Sequence, residues 1–355
     1  RSLRADRHKR WMENGKGNKS MILVSFGTRP EWIKIKPVLD EMEGKIPYKL
    51  LFTGQHEDLL ATVDFKAQVA RLTIKNGPNR LDSIVESVMN LDEIFDGVEA
   101  LMVQGDTSSA FAVALAAFHR KIKVIHLEAG LRTYDKNQPY PEEFNRQVIS
   151  RIADVHLCPT RTSRRNLVNE NVEGTIRVVG NTVLDNIRDV KTEYTDKIIV
   201  TMHRRENHYN MDEWFKEIDK LAEEYTDLEF IIPLHPNPNV QKHKHIFKHV
   251  KVVDPMEYND FIELLAKSKF VITDSGGLQE ETSFLSKKCI VCREKTERQE
   301  GIGTFAVKCT APRALAGLFK NMNNNYIPSG ECPYGDGYAA EKAFEVIASE
   351  VQARL

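Results

Sequence analysis

With 355 residues, the chain exceeds the roughly 250–300 residues at which a single hydrophobic core stops growing, so two domains are expected. Its 50 Lys and Arg residues are matched by 51 Asp and Glu residues, which leaves no positive field to attract nucleic acid. No apolar run reaches the ~20 residues of a membrane span, and no signal peptide is recognisable. We therefore expect a cytoplasmic protein with neither nucleic acid nor a membrane as partner.

The first twenty residues differ from the rest of the chain. They are rich in Lys and Arg and show almost no apolar periodicity, whereas the first clear strand begins at Met21. We expect residues 1–20 to be a disordered leader or a cloning remnant. A basic arm that recruits a partner is the alternative.

From Met21 onward, short apolar runs alternate with longer amphipathic stretches, which is the pattern of βαβ units around a parallel sheet. The first series predicts a Rossmann-like domain over residues 21–184. Its predicted strands are Met21–Phe26, Tyr48–Phe52, Leu101–Gln104, Lys123–His126, Val155–Cys158 and Ile176–Val179.

A second series predicts another Rossmann-like domain over residues 185–337, with the boundary near Val183–Asp196. Ala and Val at helical spacing predict a terminal helix over residues 338–355. The predicted strands of the second series are Lys197–Thr201, Glu229–Pro233, Val250–Val253, Phe270–Thr273 and Lys288–Cys292. The predicted fold class is therefore α/β, with two Rossmann-like parallel-sheet domains.

Ligands bind at the carboxyl ends of parallel strands, so the residues directly after each strand are the most informative. After the first strand, Thr28 and Glu31 form a capping-box pattern that predicts a helix start, with Arg29 and Lys34 in its first turns. Cations beside a positive helix terminus suit a phosphate, although solvated surface charges are the alternative. No G-x-G-x-x-G follows any strand, so no tightly bound dinucleotide cofactor is expected.

Three carboxylates occupy positions of the same kind. Asp106 and Glu128 each follow a predicted strand, and Glu142 opens a helix. Taken singly, Asp106 could cap the next helix and Glu142 could complement a helix dipole. Three carboxylates that converge on one crevice favour acid–base chemistry instead.

The second series carries histidines and glycines at its strand ends. His203 and His235 each follow a strand, which favours a site over the structural role of most lone histidines. Ser275, Gly276 and Gly277 separate a strand from a helix, where amide groups and the helix terminus suit an anion such as a diphosphate. Gly-Gly turns also occur without a ligand.

Cys289 and Cys292 form a C-x-x-C within an apolar run. Residues i and i+3 of a strand face opposite sides, so we expect buried reduced thiols and no metal site.

Eight short motifs stand in an order and spacing that resemble the non-hydrolysing UDP-N-acetylglucosamine 2-epimerases. The likeness runs from Met21 to Gly337 and beyond. The motifs are Phe26–Glu31 (FGTRPE), Gln104–Thr107 (QGDT), Glu128–Thr133 (EAGLRT), Pro141–Arg146 (PEEFNR), Gly180–Val183 (GNTV), His203–Glu206 (HRRE), Asp274–Glu281 (DSGGLQEE) and Thr296–Arg298 (TER).

This resemblance implies a GT-B fold with an interdomain cleft and a C-terminal helix that returns to the first domain. It also implies a homodimer that acts on a UDP-sugar and holds neither a metal nor a nicotinamide cofactor. In that family UDP is eliminated across C1 and C2 of the sugar, which gives a 2-acetamidoglucal. UDP adds again after a proton has returned to the opposite face.

The resemblance also implies roles for single residues. Asp106, Glu128 and Glu142 match the family's acid–base carboxylates, and His203 matches a residue near the diphosphate that turnover requires. Glu281 matches a ribose ligand and Phe261 an aromatic residue that packs on uracil. The full set of predicted substrate-binding residues is Arg29, Lys34, Arg146, His235, Phe261, Ser275, Gly276, Gly277 and Glu281.

Some positions depart from the family pattern. Gln55–Leu59 differs from the usual Q-H-x-x-M, which puts activation by a second UDP-sugar in doubt. Gln299 replaces the proline of T-E-R-P-E, and Met256 stands where some members have Gln near uracil. None of these departures touches the predicted carboxylates.

Three rival functions remain open at this point. A hydrolysing epimerase would release free N-acetylmannosamine and UDP through the same glucal. A GT-B glycosyltransferase would need an acceptor pocket and explains the three carboxylates less well. A non-catalytic sensor of sugar nucleotides would be expected to lack a carboxylate.

Overall fold

The computed structural model describes residues 21–54, 65–72, 74 and 80–352 of the chain. The predicted leader and the Gln55–Leu59 segment lie outside the described residues. By the density of its internal contacts the chain divides into two compact units. The first unit comprises Arg1–Thr182 with Tyr338–Leu355, and the second comprises Val183–Gly337.

The first unit is a seven-stranded parallel sheet in the order β3-β2-β1-β4-β5-β6-β7. The strand order reverses between β1 and β4, which is where open α/β sheets bind ligands. Its strands are β1 Met21–Phe26, β2 Tyr48–Phe52, β3 Val69–Arg71, β4 Val98–Gln104, β5 Lys123–Leu127, β6 Val155–Cys158 and β7 Thr175–Val178. Its helices are α1 Arg29–Met42, α2 Arg80–Met89, α3 Ser108–His119, α4 Glu142–Ile152 and α5 Arg161–Asn169.

The second unit is a six-stranded parallel sheet in the order β10-β9-β8-β11-β12-β13, which reverses between β8 and β11. Its strands are β8 Lys197–Thr201, β9 Glu229–Pro233, β10 Lys251–Val253, β11 Phe270–Thr273, β12 Cys289–Val291 and β13 Ala306–Lys308. Its helices are α6 Met211–Glu224, α7 Pro238–Gln241, α8 Tyr258–Ala266, α9 Gly276–Phe284 and α10 Leu315–Asn324.

Side chains of β1 alternate between the two apolar layers of the first unit, as expected for a strand that is covered on both faces. Ile22, Val24 and Phe26 belong to the layer beneath α1, whereas Leu23 belongs to the layer beneath α2 and α3. The last helix, α11 Ala339–Gln352, packs on α1 and adds Ala343 and Ile347 to the first layer. Helix α11 is therefore part of the core of the first unit.

The predicted strands are confirmed, with small shifts at their ends. Two short strands were missed, Val69–Arg71 and Ala306–Lys308, and each lies at or near a sheet edge where only three residues pair. Within the described residues, no helix is long and apolar enough to cross a membrane.

Candidate active site

The turn between β1 and α1 is fixed by a capping box. Thr28 Oγ1 accepts a hydrogen bond from the amide of Glu31, and Glu31 Oε2 accepts from the amides of Gly27 (3.0 Å) and Thr28 (2.8 Å). Glu31 Oε1 accepts from Thr107 Oγ1 at 2.8 Å. Burial raises the pKa of the Glu31 carboxyl. This glutamate therefore joins the loops that follow β1 and β4, the two strands at the reversal point.

Thr107, and not Asp106, is the N-cap of α3, because its Oγ1 accepts from the amide of Ala110 at 3.0 Å. The structural alternative for Asp106 is therefore wrong. Asp106 Oδ2 accepts instead from Nε of Arg146 on α4 at 2.9 Å, and the Asp106 carbonyl accepts from Asn145 Nδ2 at 2.9 Å.

Glu128 lies one residue past β5 with φ at +68°, a conformation that L residues rarely adopt. Its carboxylate accepts hydrogen bonds from Nζ of Lys34 at 2.7 and 2.8 Å and from Asn181 Nδ2 at 3.1 Å. Gln104 Nε2, at the end of β4, donates to the same carboxylate. Three segments of the first unit thus converge on this side chain, which is 8% exposed.

The Asp106 and Glu128 clusters are neighbours. A Cβ atom placed on Gly105, next to Asp106, would lie 3.6 Å from Glu128 Oε2. The Gly105 carbonyl accepts from Nε2 of the buried His126 at 2.7 Å, and burial lowers the pKa of that imidazole to about 3. The turn that carries Asp106 is therefore fixed by a neutral histidine.

Two adjacent glutamates open α4, and only one is fully buried. Glu143 accepts from the amides of Thr133 and Tyr134 at 3.0 Å each, and from Arg146 Nη1 at 3.2 Å. Glu142, the predicted acid–base residue, is half-buried at the first position of the helix. Through these bonds Glu143 links α4 to the loop after Glu128, which is more than an interaction with the helix dipole.

In the second unit, His203 follows β8 and His235 follows β9. Their rings stack with centroids 4.9 Å apart. Burial lowers the pKa of both imidazoles, and the charge of Asp274 opposes that effect in each. The two predicted histidines therefore form a pair at the end of this sheet.

The predicted anion loop leads from β11 into α9. Ser275 is the N-cap of α9 and makes no side-chain capping bond, and Gly276 and Gly277 are the first two helical residues. Amides of this first turn have no partner within the helix, so they suit an anionic oxygen. A Cβ atom on Gly276 would meet Arg298 Nη1 at 2.7 Å and Glu297 Oε1 at 2.8 Å, whereas one on Gly277 would meet nothing within 4 Å.

Next to Gly276 lies a largely buried chain of alternating charges that sequence reasoning missed. Glu206 accepts from Arg293 Nε at 2.7 Å, and Arg293 Nη1 donates to Glu297 Oε2 at 3.2 Å. Glu297 also accepts from Arg298, whose Nε donates to Glu280 at 2.7 Å. The HRRE, TER and DSGGLQEE motifs are therefore held together by this chain of ion pairs.

The predicted nucleoside ligands lie on α8 and α9. Glu281 is buried and accepts from Tyr258 Oη at 2.8 Å. Burial raises the pKa of the Tyr258 phenol, and the charge of Glu281 with its hydrogen bond raises it further. Phe261 is on the same helix as Tyr258 and is partly exposed. Met256, one of the departures, is exposed just before α8.

The residues missed by sequence reasoning hold the predicted ones in place. They had little signal because their hydrogen-bond partners lie in other segments and are defined only in the folded chain. This supporting set is Gln104, Glu143, Asn181, Asn207, Asp274 and Arg293. Cys289 and Cys292 are buried free thiols, and no cluster of metal-ligating side chains occurs among residues that the structure describes.

These two parallel sheets, each with polar side chains in the loops at its reversal point, define a GT-B-type α/β protein. A Listeria monocytogenes structure, a putative UDP-N-acetylglucosamine 2-epimerase, matches with a TM-score of 0.85, at 34% identity over 95% of this chain and 98% of that one. MurG from Acinetobacter baumannii, at 13% identity and a TM-score of 0.53, shares the fold alone.

The family model described as UDP-N-acetylglucosamine 2-epimerase matches residues 40–348. The Bacillus subtilis UDP-N-acetylglucosamine 2-epimerase is 36% identical over 92% of this chain and 94% of its own length. The Neisseria meningitidis enzyme of the same name, crystallised with UDP-GlcNAc, has a TM-score of 0.83, with 32% identity over 93% of this chain and all of that one. The chain belongs to the UDP-N-acetylglucosamine 2-epimerase family.

Proposed function

We propose that the chain interconverts UDP-N-acetylglucosamine and UDP-N-acetylmannosamine by eliminating UDP and adding it back. Membership of the family and the UDP-GlcNAc-bound Neisseria relative support this substrate. The observation that carries the proposal is the pairing of Asp106 with Arg146 and of Glu128 with Lys34 around one turn of the first unit. Such pairs provide carboxylates whose orientation is fixed before the substrate arrives.

The reaction dictates groups of this kind. The C2 proton is only weakly acidic beside an acetal carbon, so its removal must accompany cleavage of the bond between C1 and the β-phosphate oxygen. The electron pair of the C2–H bond then forms the C1=C2 bond of a 2-acetamidoglucal, and UDP departs. A carboxylic acid returns a proton to the other face of C2, and the phosphate oxygen adds to C1 again. We assign the proton transfers to Asp106, Glu128 and Glu142.

The second unit has groups suited to UDP. The α9 N-terminus with Gly276 and Gly277 suits the diphosphate, and charge that develops on the leaving phosphate would be stabilised there. Glu281 suits the ribose hydroxyls and Phe261 the uracil face. We assign His203 to the diphosphate as well. A neutral imidazole there can gain a proton and so balance the negative charge of the leaving UDP.

The test is incubation with UDP-N-acetylglucosamine in D2O, followed by NMR. The epimerase should incorporate deuterium at C2 and yield UDP-N-acetylmannosamine with its UDP attached. Release of free UDP in step with N-acetylmannosamine would establish the hydrolysing reaction instead. A product without deuterium at C2 would fit a glycosyltransferase, and Asp106→Asn with wild-type exchange would remove Asp106 from the mechanism.

We also propose that the protein is a homodimer through α3 and α4. Phe111, Leu115 and Phe118 follow helical spacing along α3 and are partly or largely exposed, and Phe144 on α4 packs its ring 6.1 Å from that of Phe111. Phe118 and Phe144 are 49% and 50% exposed. A contiguous aromatic surface on two adjacent helices is typical of a self-associating face.

A further inference from the structure

The residue directly after β11, Asp274, has a fully buried carboxylate that binds the segment after β8. Both of its oxygens lie 3.1 Å from the amide of His203. Oδ2 also accepts from the amide of Arg204 at 2.9 Å and from Asn207 Nδ2 at 3.0 Å. One carboxylate therefore fixes three residues of the segment that carries His203.

Asp274 is itself held rigidly. Its amide donates to the carbonyl of Thr201 at 3.1 Å, and the hydroxyls of Thr201 and Thr273 lie 2.6 Å apart. Asn207, which donates to Asp274, also donates to the carbonyl of Cys292 at 3.0 Å. The backbone of Asp274 thus extends the β8–β11 pairing by one residue, and Asn207 links its carboxylate to the end of β12.

The charge of Asp274 also acts on the His203 imidazole. Burial lowers the pKa of His203, and Arg204, His235 and His208 lower it further, whereas the negative charge of Asp274 raises it. A carboxylate repels a diphosphate, so we do not expect Asp274 to be a ligand of the substrate. Its oxygens accept hydrogen bonds from N–H donors of the protein, which is the arrangement of a group that orients a neighbour.

We propose, on the basis of the proposed function, that Asp274 is a positioning residue that holds His203 in its working orientation and charge state without contacting the substrate. The residue acts through His203, so its contribution should vanish when His203 is removed. Substrate affinity that depends on the α9 glycines should persist without it.

The chain offers a matched control in Asp219 on α6. Its Oδ1 accepts from the amides of Lys248 (2.8 Å), His249 (2.8 Å) and Val250 (3.2 Å), and Oδ2 lies 3.1 Å from His249 Nδ1. Asp219 is therefore also a carboxylate that fixes a histidine-bearing segment, but that segment has no place in the proposed reaction. Asp219→Asn should destabilise the second unit without changing turnover.

The experiment is a double-mutant cycle between Asp274→Asn and His203→Asn, with turnover measured as deuterium incorporation at C2. Asp274→Asn should lower kcat on the order of 10- to 100-fold in the wild-type background, as misplacement of a catalytic group does. It should change kcat less than about twofold in the His203→Asn background. UDP affinity, measured by calorimetry, should stay within about threefold. Equal losses in both backgrounds would overturn the proposal.

A second readout is the pKa of His203, measured by NMR of the labelled imidazole. Without the charge of Asp274 that pKa should fall, and the limb of the pH profile that His203→Asn abolishes should move to lower pH. An unchanged His203 pKa in Asp274→Asn would contradict the proposal. Because this titration needs no turnover, it decides the role of Asp274 even if the wild-type protein does not epimerise UDP-N-acetylglucosamine, a result that would refute only the proposed function.

If Asp274→Asn does not fold, the cycle is run with Asn207→Ala, which removes one donor and leaves the carboxylate. A loss of about 2- to 10-fold is then expected with His203 present and none with His203→Asn. Losses of kcat of the same size in both backgrounds would again contradict the proposal.

Discussion

Nζ of Lys34 on α1 donates to both oxygens of Glu128, at 2.7 and 2.8 Å, in the loop after β5. The lysine thus supplies the charge that a largely buried carboxylate requires, and it orients that carboxylate.

Removal of either partner should impair catalysis. Glu128→Gln and Lys34→Met are each expected to lower kcat on the order of 10²-fold, because the first removes one of the carboxylates proposed to transfer protons and the second leaves it misoriented. Lys36→Met on the same helix is the control, since Lys36 is exposed and pairs with Asp40 in the next turn. Steady-state kinetics of the three variants check this, and a Lys34→Met enzyme as fast as Lys36→Met would disprove it.

The two glutamates that open α4 should separate function from stability. Glu142→Gln should lower kcat on the order of 10²-fold with little effect on unfolding. Glu143→Gln should reduce the free energy of unfolding by about 3 kcal/mol, because four N–H donors converge on this buried carboxylate. Urea unfolding and kinetics of both variants test this assignment. If Glu143→Gln lowered kcat and Glu142→Gln lowered stability instead, the proton-transfer role would belong to Glu143.

Adjacent glycines of the anion loop should respond differently to alanine. Gly276→Ala would press a methyl group onto Arg298 and Glu297, which are buried and ion-paired, so we expect a loss of about 1–3 kcal/mol. Gly277→Ala has open space and should leave stability unchanged or raise it by up to about 1 kcal/mol. Thermal unfolding compares them, and equal melting temperatures would rule out the steric account.

Acid should destabilise the first unit through His126. Its folded pKa of about 3 lies below the ordinary 6.5, so the unfolded chain binds the extra proton between these values. The contribution of the neutral His126 to the free energy of unfolding is therefore fully present above pH 6.5. It is lost as the pH falls, by at most about 1.4 kcal/mol per pH unit. His126→Gln, which can still donate to the Gly105 carbonyl, should flatten this dependence in urea unfolding at pH 7 and pH 5. Parallel pH dependences in the two proteins would show that another group is responsible.

The aromatic face of α3 and α4 should govern assembly. Phe118→Asp should convert a dimer into monomers in sedimentation equilibrium, because a charge would be buried at the contact. Val168→Asp on α5 is the control, since Val168 is 46% exposed outside that face. A wild-type monomer, or a Phe118→Asp dimer of unchanged affinity, would refute this interface.

The sequence was most informative for strands flanked by clear turns. β1, β2, β6, β8, β9 and β11 have the predicted ends, because continuous apolar runs bounded by polar loops are unambiguous. β3 and β13 carry only three paired residues each, too few to establish a period. The capping box of Thr28 and Glu31 is confirmed, because its pattern is local.

The site was predictable only in part, and for a physical reason. Asp106 and Glu128 follow strands and could be singled out by position. Asp274 also follows a strand, but Asp274 and Glu143 bind residues 71 and 10 positions away, so their partners are defined only in the folded structure. The ion-pair chain from Glu206 to Glu280 likewise depends on contacts between distant segments.

Helix α4 begins with five residues of different duty. Glu142 is assigned to proton transfer, Glu143 ties the helix to a loop, and Phe144 points outward. Asn145 and Arg146 bind the backbone and carboxylate of Asp106. A substitution at almost any of these five positions would disturb a contact or a proposed role. Variants that aim to change the specificity of the enzyme should therefore be made at other positions.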